Sequence, residues 1–214
     1  MVDDKYDVII VGGGISGTSL LYVLSRFTDV QSILLLEKYD DFATLNSNSR
    51  NNAQTLHFGD IETNYTLEKA TKTKKAAEMV LHYTNALSED IRNHIITKIP
   101  KMVLGVGNEE ISILDHLFSS RVRELFPTLR KINADKIGKV EPNVVKGRNP
   151  NEKISALLSQ NGYMVDFGAL TKSFLENSID KSKEKKIDVL LNAEVERIKE
   201  SDGEYTLVTK KRNI

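Results

Sequence analysis

The sequence predicts an α/β fold in which a parallel sheet begins with a βαβ unit and is then interrupted by an inserted region. Residues 6–11 form a β-branched apolar run that ends in three glycines, as a buried parallel strand does. One apolar face is predicted for a helix over 15–27, formed by Leu20, Leu21, Leu24 and Phe27 at helical spacing, and 32–37 is a second apolar run. Strand, glycine turn, helix and strand follow in the order that a right-handed crossover requires.

The glycine turn after the first strand has the spacing of a phosphate-binding loop. Gly12 permits a tight turn, Gly14 lets the backbone approach a pyrophosphate, and Gly17 lets the helix pack close to the strand. Ile15 and Ser16 begin the helix, whose free N–H groups and partial positive charge favour phosphates. We predict that these five residues bind a dinucleotide. The alternative is a glycine-rich turn that binds no ligand.

An acidic residue stands where such a unit binds the adenosine ribose. Glu37 ends the second strand, twenty residues after Gly17, and is predicted to accept a hydrogen bond from the ribose 2′-OH. Its neighbour Lys38 belongs to the same predicted site. A carboxylate disfavours the 2′-phosphate of NADP, because two negative groups would meet. The motif by itself leaves FAD and NAD as alternatives.

The alternation of strand and helix stops after Glu37. Residues 38–66 are rich in Asn, Ser and Thr without a sustained period, which predicts a long functional loop. Helical spacing resumes over about 67–97, followed by a strand at 98–107 and a further helix. The stretch 126–152 contains three prolines and is predicted to be a surface connection rather than a core element.

The alternation returns toward the end of the chain. Asp166 is predicted to cap a helix over about 167–182. Strands are predicted at 187–200 and 205–210, joined by a turn at 201–203.

An interrupted sheet of this kind is typical of flavoprotein oxidoreductases of the amino-acid-oxidase type, which favours FAD over NAD. We therefore predict a Rossmann-like FAD-binding domain in two parts, residues 1–75 and 165–214. Part of an α+β substrate domain, residues 76–164, is predicted to interrupt it.

Composition excludes several kinds of function. The chain has 30 basic and 30 acidic residues, so its charge gives no reason to expect a nucleic-acid partner. The absence of cysteine excludes disulfides, thiolate metal or iron–sulfur sites and a redox-active cysteine pair within the chain, and no metal site is predicted. The sequence has neither a secretory signal nor a membrane-spanning run. A cytoplasmic location follows as the default, with attachment to a membrane surface left open.

Four segments carry a resemblance to a known family. NSNSRNNAQTLH at 46–57, NYT at 64–66, GRNPNEKI at 147–154 and YMVDFGALTK at 163–172 occur in this order. Together they resemble segments of malate:quinone oxidoreductases, at similar spacing and over essentially the entire chain. Members of that family are longer than this chain. The resemblance therefore implies an N-terminal portion that lacks the last glycine-rich segment of the flavin site, is inactive alone and retains FAD weakly or not at all.

The resemblance implies a specific reaction. FAD would oxidise (S)-malate to oxaloacetate and pass the electrons to a membrane quinone, a step of the tricarboxylic acid cycle. The location implied is cytoplasmic or peripheral on the inner face of the cytoplasmic membrane. The alternatives are a related FAD oxidoreductase for another 2-hydroxy acid such as 2-hydroxyglutarate, or for an amine with oxygen as acceptor, and an inactive flavin-binding module.

The resemblance also assigns roles to single residues. His57 is the candidate base, because a neutral imidazole accepts a hydroxyl proton near neutral pH. Arg50 is the candidate for a bidentate pair with a malate carboxylate. Val195, predicted in the third strand of the FAD domain, is expected to turn backbone groups toward adenine. Five consecutive residues are expected to pass the isoalloxazine: Asn51, Asn52, Ala53, Gln54 and Thr55. The alternatives are a solvated arginine, a catalytic base in the part of the family's sequence that this chain lacks, a strand valine and a polar loop capped by its own amides.

Overall fold

The chain divides into two compact units. The computed structural model describes residues 5–119, 122–179 and 184–210. The first unit consists of Met1–Gln54 and Asp166–Ile214, and the second is the intervening Thr55–Val165. The sequence placed its domain boundaries after residues 75 and 164. The first segment of the first unit thus ends at Gln54, before the end of the predicted first part of the FAD-binding domain, residues 1–75.

The described residues form eight strands and eight helices. The strands are β1 Val8–Val11, β2 Ser32–Leu36, β3 Ile96–Val106, β4 Arg130–Asn133, β5 Ile154–Val165, β6 Lys186–Leu190, β7 Val195–Ser201 and β8 Glu204–Thr209. The helices are α1 Ile15–Phe27, α2 Leu67–Asn85, α3 Glu89–Ile95, α4 Gly107–Ser119, α5 Val122–Leu125, α6 Ala134–Val140, α7 Pro142–Val145 and α8 Phe167–Ile179. In the part of the chain that the structure describes, no helix combines the length and apolar character needed to cross a bilayer.

A three-stranded parallel sheet forms the centre of the first unit. Its order is β1-β2-β6, so β2 has a hydrogen-bonded neighbour on each side. Ile33 and Leu35 pack with Leu21 of α1 on one face, while Leu34 and Leu36 pack with Leu207 on the other. Because both faces of β2 are covered, its apolar residues run continuously instead of alternating with polar ones.

The predicted face of α1 is partly wrong. Apolar periodicity placed Leu20 and Phe27 in the core, but they are 45% and 69% exposed, whereas Leu21 is completely buried. The helix packs against α8, and its residues Thr18 and Ser25 are also buried. The Ser25 hydroxyl donates to the Tyr22 carbonyl at 3.0 Å, so its polar group is satisfied. Small hydroxyl residues therefore form part of the buried face, which hydrophobicity alone does not reveal.

An antiparallel sheet of order β3-β5-β4 forms the centre of the second unit. The pairing of β3 with β5 is regular from Ile96 to Ile99 and again from Lys101 onward, with a register shift between. Pro100 lies at that shift. Proline has no backbone N–H to donate, and at the shift this costs none of the regular hydrogen bonds between the two strands.

Two predictions for the second unit need correction. The stretch 126–152 is not a surface connection, because it contains β4 and α6 and buries Leu129, Ile132 and Ile137. Its apolar residues are too widely spaced to show a period. The helical stretch predicted over 67–97 is two helices and the start of β3, with Ser88 at the N-cap position of α3.

The C-terminal elements combine confirmed and corrected predictions. Asp166 caps α8 as predicted, its Oδ1 accepting from Ala169 N at 2.9 Å. The helix is described to Ile179, and the predicted residues 180–182 lie outside the described residues. The strand predicted at 187–200 is two strands, because the chain turns at Asn192 with φ 54°. The turn before β8 has positive φ at Asp202 and Gly203, as a two-residue hairpin of type I′ requires.

The burial difference between Leu20 and Leu21 predicts a difference in stability. Leu21→Ala removes a completely buried side chain and should lower the free energy of unfolding by about 2–5 kcal/mol. Leu20→Ala, one position earlier on α1, should change it by no more than about 0.5 kcal/mol. Urea unfolding of the two variants measures both values. Equal destabilisation by the two substitutions would contradict the observed face of α1.

Candidate functional site

The glycine turn holds α1 close to the end of β1. Gly12 has φ +107°, a conformation that favours glycine, and its N–H donates to the Leu36 carbonyl at 2.7 Å. A Cβ on Gly17 would lie 1.9 Å from the Gly12 carbonyl oxygen, far inside van der Waals contact. The first and last glycines of the motif are therefore required by the turn and by the close packing of helix on turn.

Gly13, the second of the three consecutive glycines, forms hydrogen bonds with residues outside the turn. Its N–H donates to Glu37 Oε2 at 2.6 Å, and its carbonyl accepts from Ala43 N at 3.2 Å. A Cβ here would lie 2.5 Å from the Phe42 ring. The run of three consecutive glycines was the available signal, but the Phe42 ring that excludes a side chain is distant in sequence.

Glu37 connects the glycine turn to the ends of two strands. Its carboxylate accepts from Gly13 N through Oε2 and from Tyr39 N through Oε1, the latter at 2.9 Å. Its backbone N–H donates to Leu190 O, and its carbonyl accepts from Ala193 N. The residue is 8% exposed. A carboxylate has about four lone-pair positions, so the two N–H groups leave capacity for a ligand hydroxyl.

The N-terminus of α1 is open to an anion. Gly14 is the N-cap residue, and the first helical hydrogen bond runs from Thr18 N to Gly14 O. The N–H groups of Ser16 and Gly17 precede that bond and have no acceptor within the helix. Ile15 N donates to the Ser47 hydroxyl at 2.9 Å. Ser47 is buried and was missed by sequence reasoning, because no local pattern connects it with a helix 32 residues away.

Some of these residues line one cavity within the first unit, but Gly13, Ile15, Ser16 and Gly17 are not among its described lining residues. Its volume is about 420 Å³, and its lining includes Gly12, Gly14, Glu37, Lys38 and Val195. This size lies within the range of small-molecule sites. Five residues predicted to bind the dinucleotide thus line the same cavity.

Lys38 and Val195 were also predicted to belong to the dinucleotide site, and both line this cavity. The Lys38 ammonium lies 4.7 Å from the centre of the Tyr39 ring. Val195 is not in the third strand of the parallel sheet, which is β6; it begins β7 and pairs with Thr209 of β8. The strand assignment is therefore wrong, because the chain leaves the parallel sheet after Leu190.

The amides of the polar loop hydrogen-bond within the first unit. Asn51 Nδ2 donates to Leu45 O at 2.9 Å, and Asn52 Nδ2 donates to Asn46 O at 2.9 Å. Gln54 has φ 51°, and its Oε1 accepts from Phe167 N at 3.2 Å. These contacts fix the course of the loop. None of the three residues is among the described residues that line the cavity.

The remaining predicted loop residues lie on either side of the unit boundary. Ala53 separates Asn52 from Gln54, and Thr55 forms an isolated antiparallel bridge with Met164 in the second unit. Arg50 is exposed, and its backbone N–H donates to Asn48 Oδ1 at 3.0 Å.

His57 lies in the second unit beside a carboxylate. Its Nδ1 is 2.7 Å from Glu62 Oε1, and the two side chains are 56% and 13% exposed. Burial alone raises the pKa of Glu62, but the hydrogen bond from His57 and the charge of Lys101 outweigh it and hold the pKa below its ordinary value. The Glu62 carboxylate is therefore ionised at neutral pH.

Comparison with known proteins decides the family. A family model described as malate:quinone oxidoreductase (Mqo) matches residues 4–214. The chain belongs to the malate:quinone oxidoreductase family. It is 37% identical over 216 residues to a probable malate:quinone oxidoreductase of Campylobacter jejuni, covering 98% of this chain and 47% of that protein. It is 32% identical over 210 residues to the malate:quinone oxidoreductase of Helicobacter pylori, and this match covers 96% of this chain and 45% of that protein.

Solved structures confirm the predicted fold class for this malate:quinone oxidoreductase family chain. The L-α-glycerophosphate oxidase of Mycoplasma pneumoniae with FAD bound superposes with a TM-score of 0.72 at 21% identity, covering 98% of this chain and 50% of that chain. The L-proline dehydrogenase of P. horikoshii superposes with a TM-score of 0.72 at 18% identity, and the match covers 99% of this chain and 50% of that chain. The chain spans about half the length of the curated relatives and solved chains it matches.

The contact between Gly17 and Gly12 predicts the effect of a single methyl group. Gly17→Ala should lower the free energy of unfolding by about 1–3 kcal/mol, because the helix must move away from the turn. Gly138→Ala on α6 is the control, since its Cβ would meet only the Val145 side chain, at 3.1 Å. Thermal unfolding of both variants measures the difference. A Gly17→Ala protein as stable as the Gly138→Ala control would refute the packing role.

Proposed function

We propose that this chain supplies the adenosine and pyrophosphate part of an FAD site in an enzyme that oxidises (S)-malate to oxaloacetate. The observation that carries the proposal is the buried Glu37 carboxylate beside the glycine turn, in one cavity with the N-terminus of α1. Membership of the malate:quinone oxidoreductase family supports the reaction. The L-α-glycerophosphate oxidase of Mycoplasma pneumoniae has FAD bound, which supports the choice of flavin.

The residues present fit the nucleotide half of FAD. The free N–H groups of Ser16 and Gly17 would face the pyrophosphate, where the helix N-terminus favours negative charge. The remaining lone pairs of Glu37 would accept from a ribose hydroxyl. The same carboxylate would repel the 2′-phosphate of NADP. The loop from Asn51 to Thr55 would pass the isoalloxazine, held in place by its own amides.

The bound flavin would supply the redox chemistry by accepting a hydride from C2 of malate. The hydroxyl proton of the substrate would pass to His57 Nε2, so that the alcohol becomes the ketone of oxaloacetate with loss of one proton and one hydride. Arg50 is proposed to pair with a malate carboxylate, because its guanidinium offers two parallel donors on an exposed loop. A quinone would then reoxidise the flavin. We propose that the protein meets that quinone as a peripheral protein on the inner face of the cytoplasmic membrane.

The nucleotide site makes a prediction about flavin content. Glu37→Gln replaces one carboxylate oxygen by an amide donor, which leaves either Gly13 N or Tyr39 N facing an N–H group. We expect FAD affinity to fall by roughly 10- to 150-fold, the equivalent of one hydrogen bond to a charged group. The protein expressed from the complete reading frame is purified and titrated with FAD. The control is Glu200→Gln, an exposed residue of β7.

Equal FAD affinity of the Glu37→Gln and Glu200→Gln proteins would refute the assignment of Glu37. A protein of the complete reading frame that contains no flavin and binds none would refute the FAD proposal itself.

The substrate assignment makes a separate prediction. Anaerobic addition of (S)-malate to the same flavoprotein should bleach the flavin absorbance, and a quinone analogue should restore it. Arg50→Ala should raise KM for malate roughly tenfold or more, as loss of a charge-assisted pair does. Arg197→Ala, an exposed arginine of β7, is the control. Bleaching by 2-hydroxyglutarate but not by malate would assign the enzyme to another 2-hydroxy acid.

A further inference from the structure

The segment from His57 to Glu62 forms a rigid turn in the second unit. Leu56 N donates to Tyr163 O at 3.0 Å, which fixes the backbone just before His57. The Phe58 ring is buried and lies 5.8 Å from the centre of the Tyr163 ring. Gly59 has φ +86°, and a Cβ there would meet the Ala70 Cα at 2.8 Å. The turn is thus held by a strand on one side and by α2 on the other.

A buried ion pair joins this turn to β3. Asp60 Oδ1 is 2.6 Å from Lys101 Nζ, and both side chains are nearly inaccessible to solvent. The Lys101 ammonium also lies 5.3 Å from the centre of the Phe58 ring. Charges buried in this way hold their geometry, because separating them would leave each one desolvated and unpaired. Lys101 also lowers the pKa of Glu62 through its charge.

The contact between His57 and Glu62 restricts the imidazole. An ionised carboxylate only accepts hydrogen bonds, so the His57 nitrogen that faces Glu62 must carry the proton. In the neutral ring the other nitrogen then has a free lone pair. The nitrogen facing Glu62 is Nδ1, at 2.7 Å, and more than half of the His57 side chain is exposed. The free lone pair therefore belongs to Nε2.

We propose that Glu62 is the positioning residue of His57: its carboxylate holds the Nδ1–H tautomer and directs the Nε2 lone pair toward the hydroxyl proton of a 2-hydroxy acid. The proposal rests on the proposed function, in which His57 is the base. Glu62 itself touches neither substrate nor cofactor in this scheme. The Asp60–Lys101 pair and the turn at Gly59 keep the Glu62 side chain where it can reach Nδ1.

The chain offers variants that separate the parts of this role. Glu62→Ala removes the acceptor and should release the tautomer. Glu62→Gln removes the charge but keeps an amide oxygen that can accept from Nδ1, so the tautomer should persist. Glu68→Gln removes a carboxylate of the same unit that is exposed and paired with Lys72 on α2, and serves as the matched control.

The first measurement is the tautomer of His57 by ¹⁵N NMR at alkaline pH. The chain has four histidines, and His57→Gln identifies the signal. We expect Nδ1–H in the wild type, in Glu62→Gln and in Glu68→Gln, and a mixture of tautomers in Glu62→Ala. A wild-type His57 protonated at Nε2, or an unchanged tautomer in Glu62→Ala, would overturn the proposal. This measurement is independent of activity and tests the orientation even if malate is not the substrate.

The second measurement is steady-state oxidation of malate by the protein from the complete reading frame. Glu62→Ala should lower kcat roughly 10- to 100-fold with little change in KM, as loss of an orienting partner does. Glu62→Gln should fall between Glu62→Ala and the Glu68→Gln control. Equal kcat for Glu62→Ala and Glu68→Gln would overturn the proposal while leaving malate oxidation intact. No malate oxidation by the wild type would instead refute the proposed function.

Discussion

The first unit depends on how the Glu37 carboxylate is buried. An ionised carboxylate removed from water costs several kcal/mol unless hydrogen-bond donors replace the water. Gly13 N and Tyr39 N provide those donors at 2.6 and 2.9 Å. The turn after β1 and the residues after β2 must therefore adopt their observed conformations together. The oxygens that stabilise the fold are the same oxygens that a ribose hydroxyl would meet in the proposed FAD site.

The second unit uses charge in a comparable way. Asp60 and Lys101 are both buried and pair with each other. Asp60 belongs to the turn that carries His57, and Lys101 belongs to β3. The Glu62 carboxylate is less deeply buried and accepts from the imidazole. In the first unit the buried Glu37 carboxylate is itself the candidate functional group, whereas in the second unit the buried Asp60 carboxylate belongs to the turn that carries the exposed candidate His57. Such support from surrounding side chains is what holds a reactive group in one geometry.

Features that depend on neighbouring residues in sequence were predictable. The glycine turn, the Asp166 cap and the Asp202-Gly203 turn are short local patterns whose physical requirements are known. Features that depend on contacts between residues far apart in sequence were not predictable. Ser47 reaches Ile15 across 32 residues, and the exclusion of a side chain at Gly13 comes from Phe42.

Burial was harder to predict than secondary structure. The buried face of α1 includes Thr18 and Ser25, which a hydrophobicity pattern counts as polar although their hydroxyls bond within the helix. The stretch 126–152 has isolated apolar residues, among them Leu129 and Ile137, that reach the core without any period. In both cases packing partners outside the local segment decide which residues are buried.

The insertion of the second unit is explained by the hydrogen bonds at its ends. In the first unit, Gln54 Oε1 accepts from Phe167 N, so the residues that precede and follow the insertion are bonded to each other. In the second unit, Thr55 bridges Met164 and Leu56 N donates to Tyr163 O. Each unit therefore closes its own ends. Since the cost of closing a loop grows only slowly with its length, 111 residues can be inserted at this point while the glycine turn and the parallel sheet remain one unit.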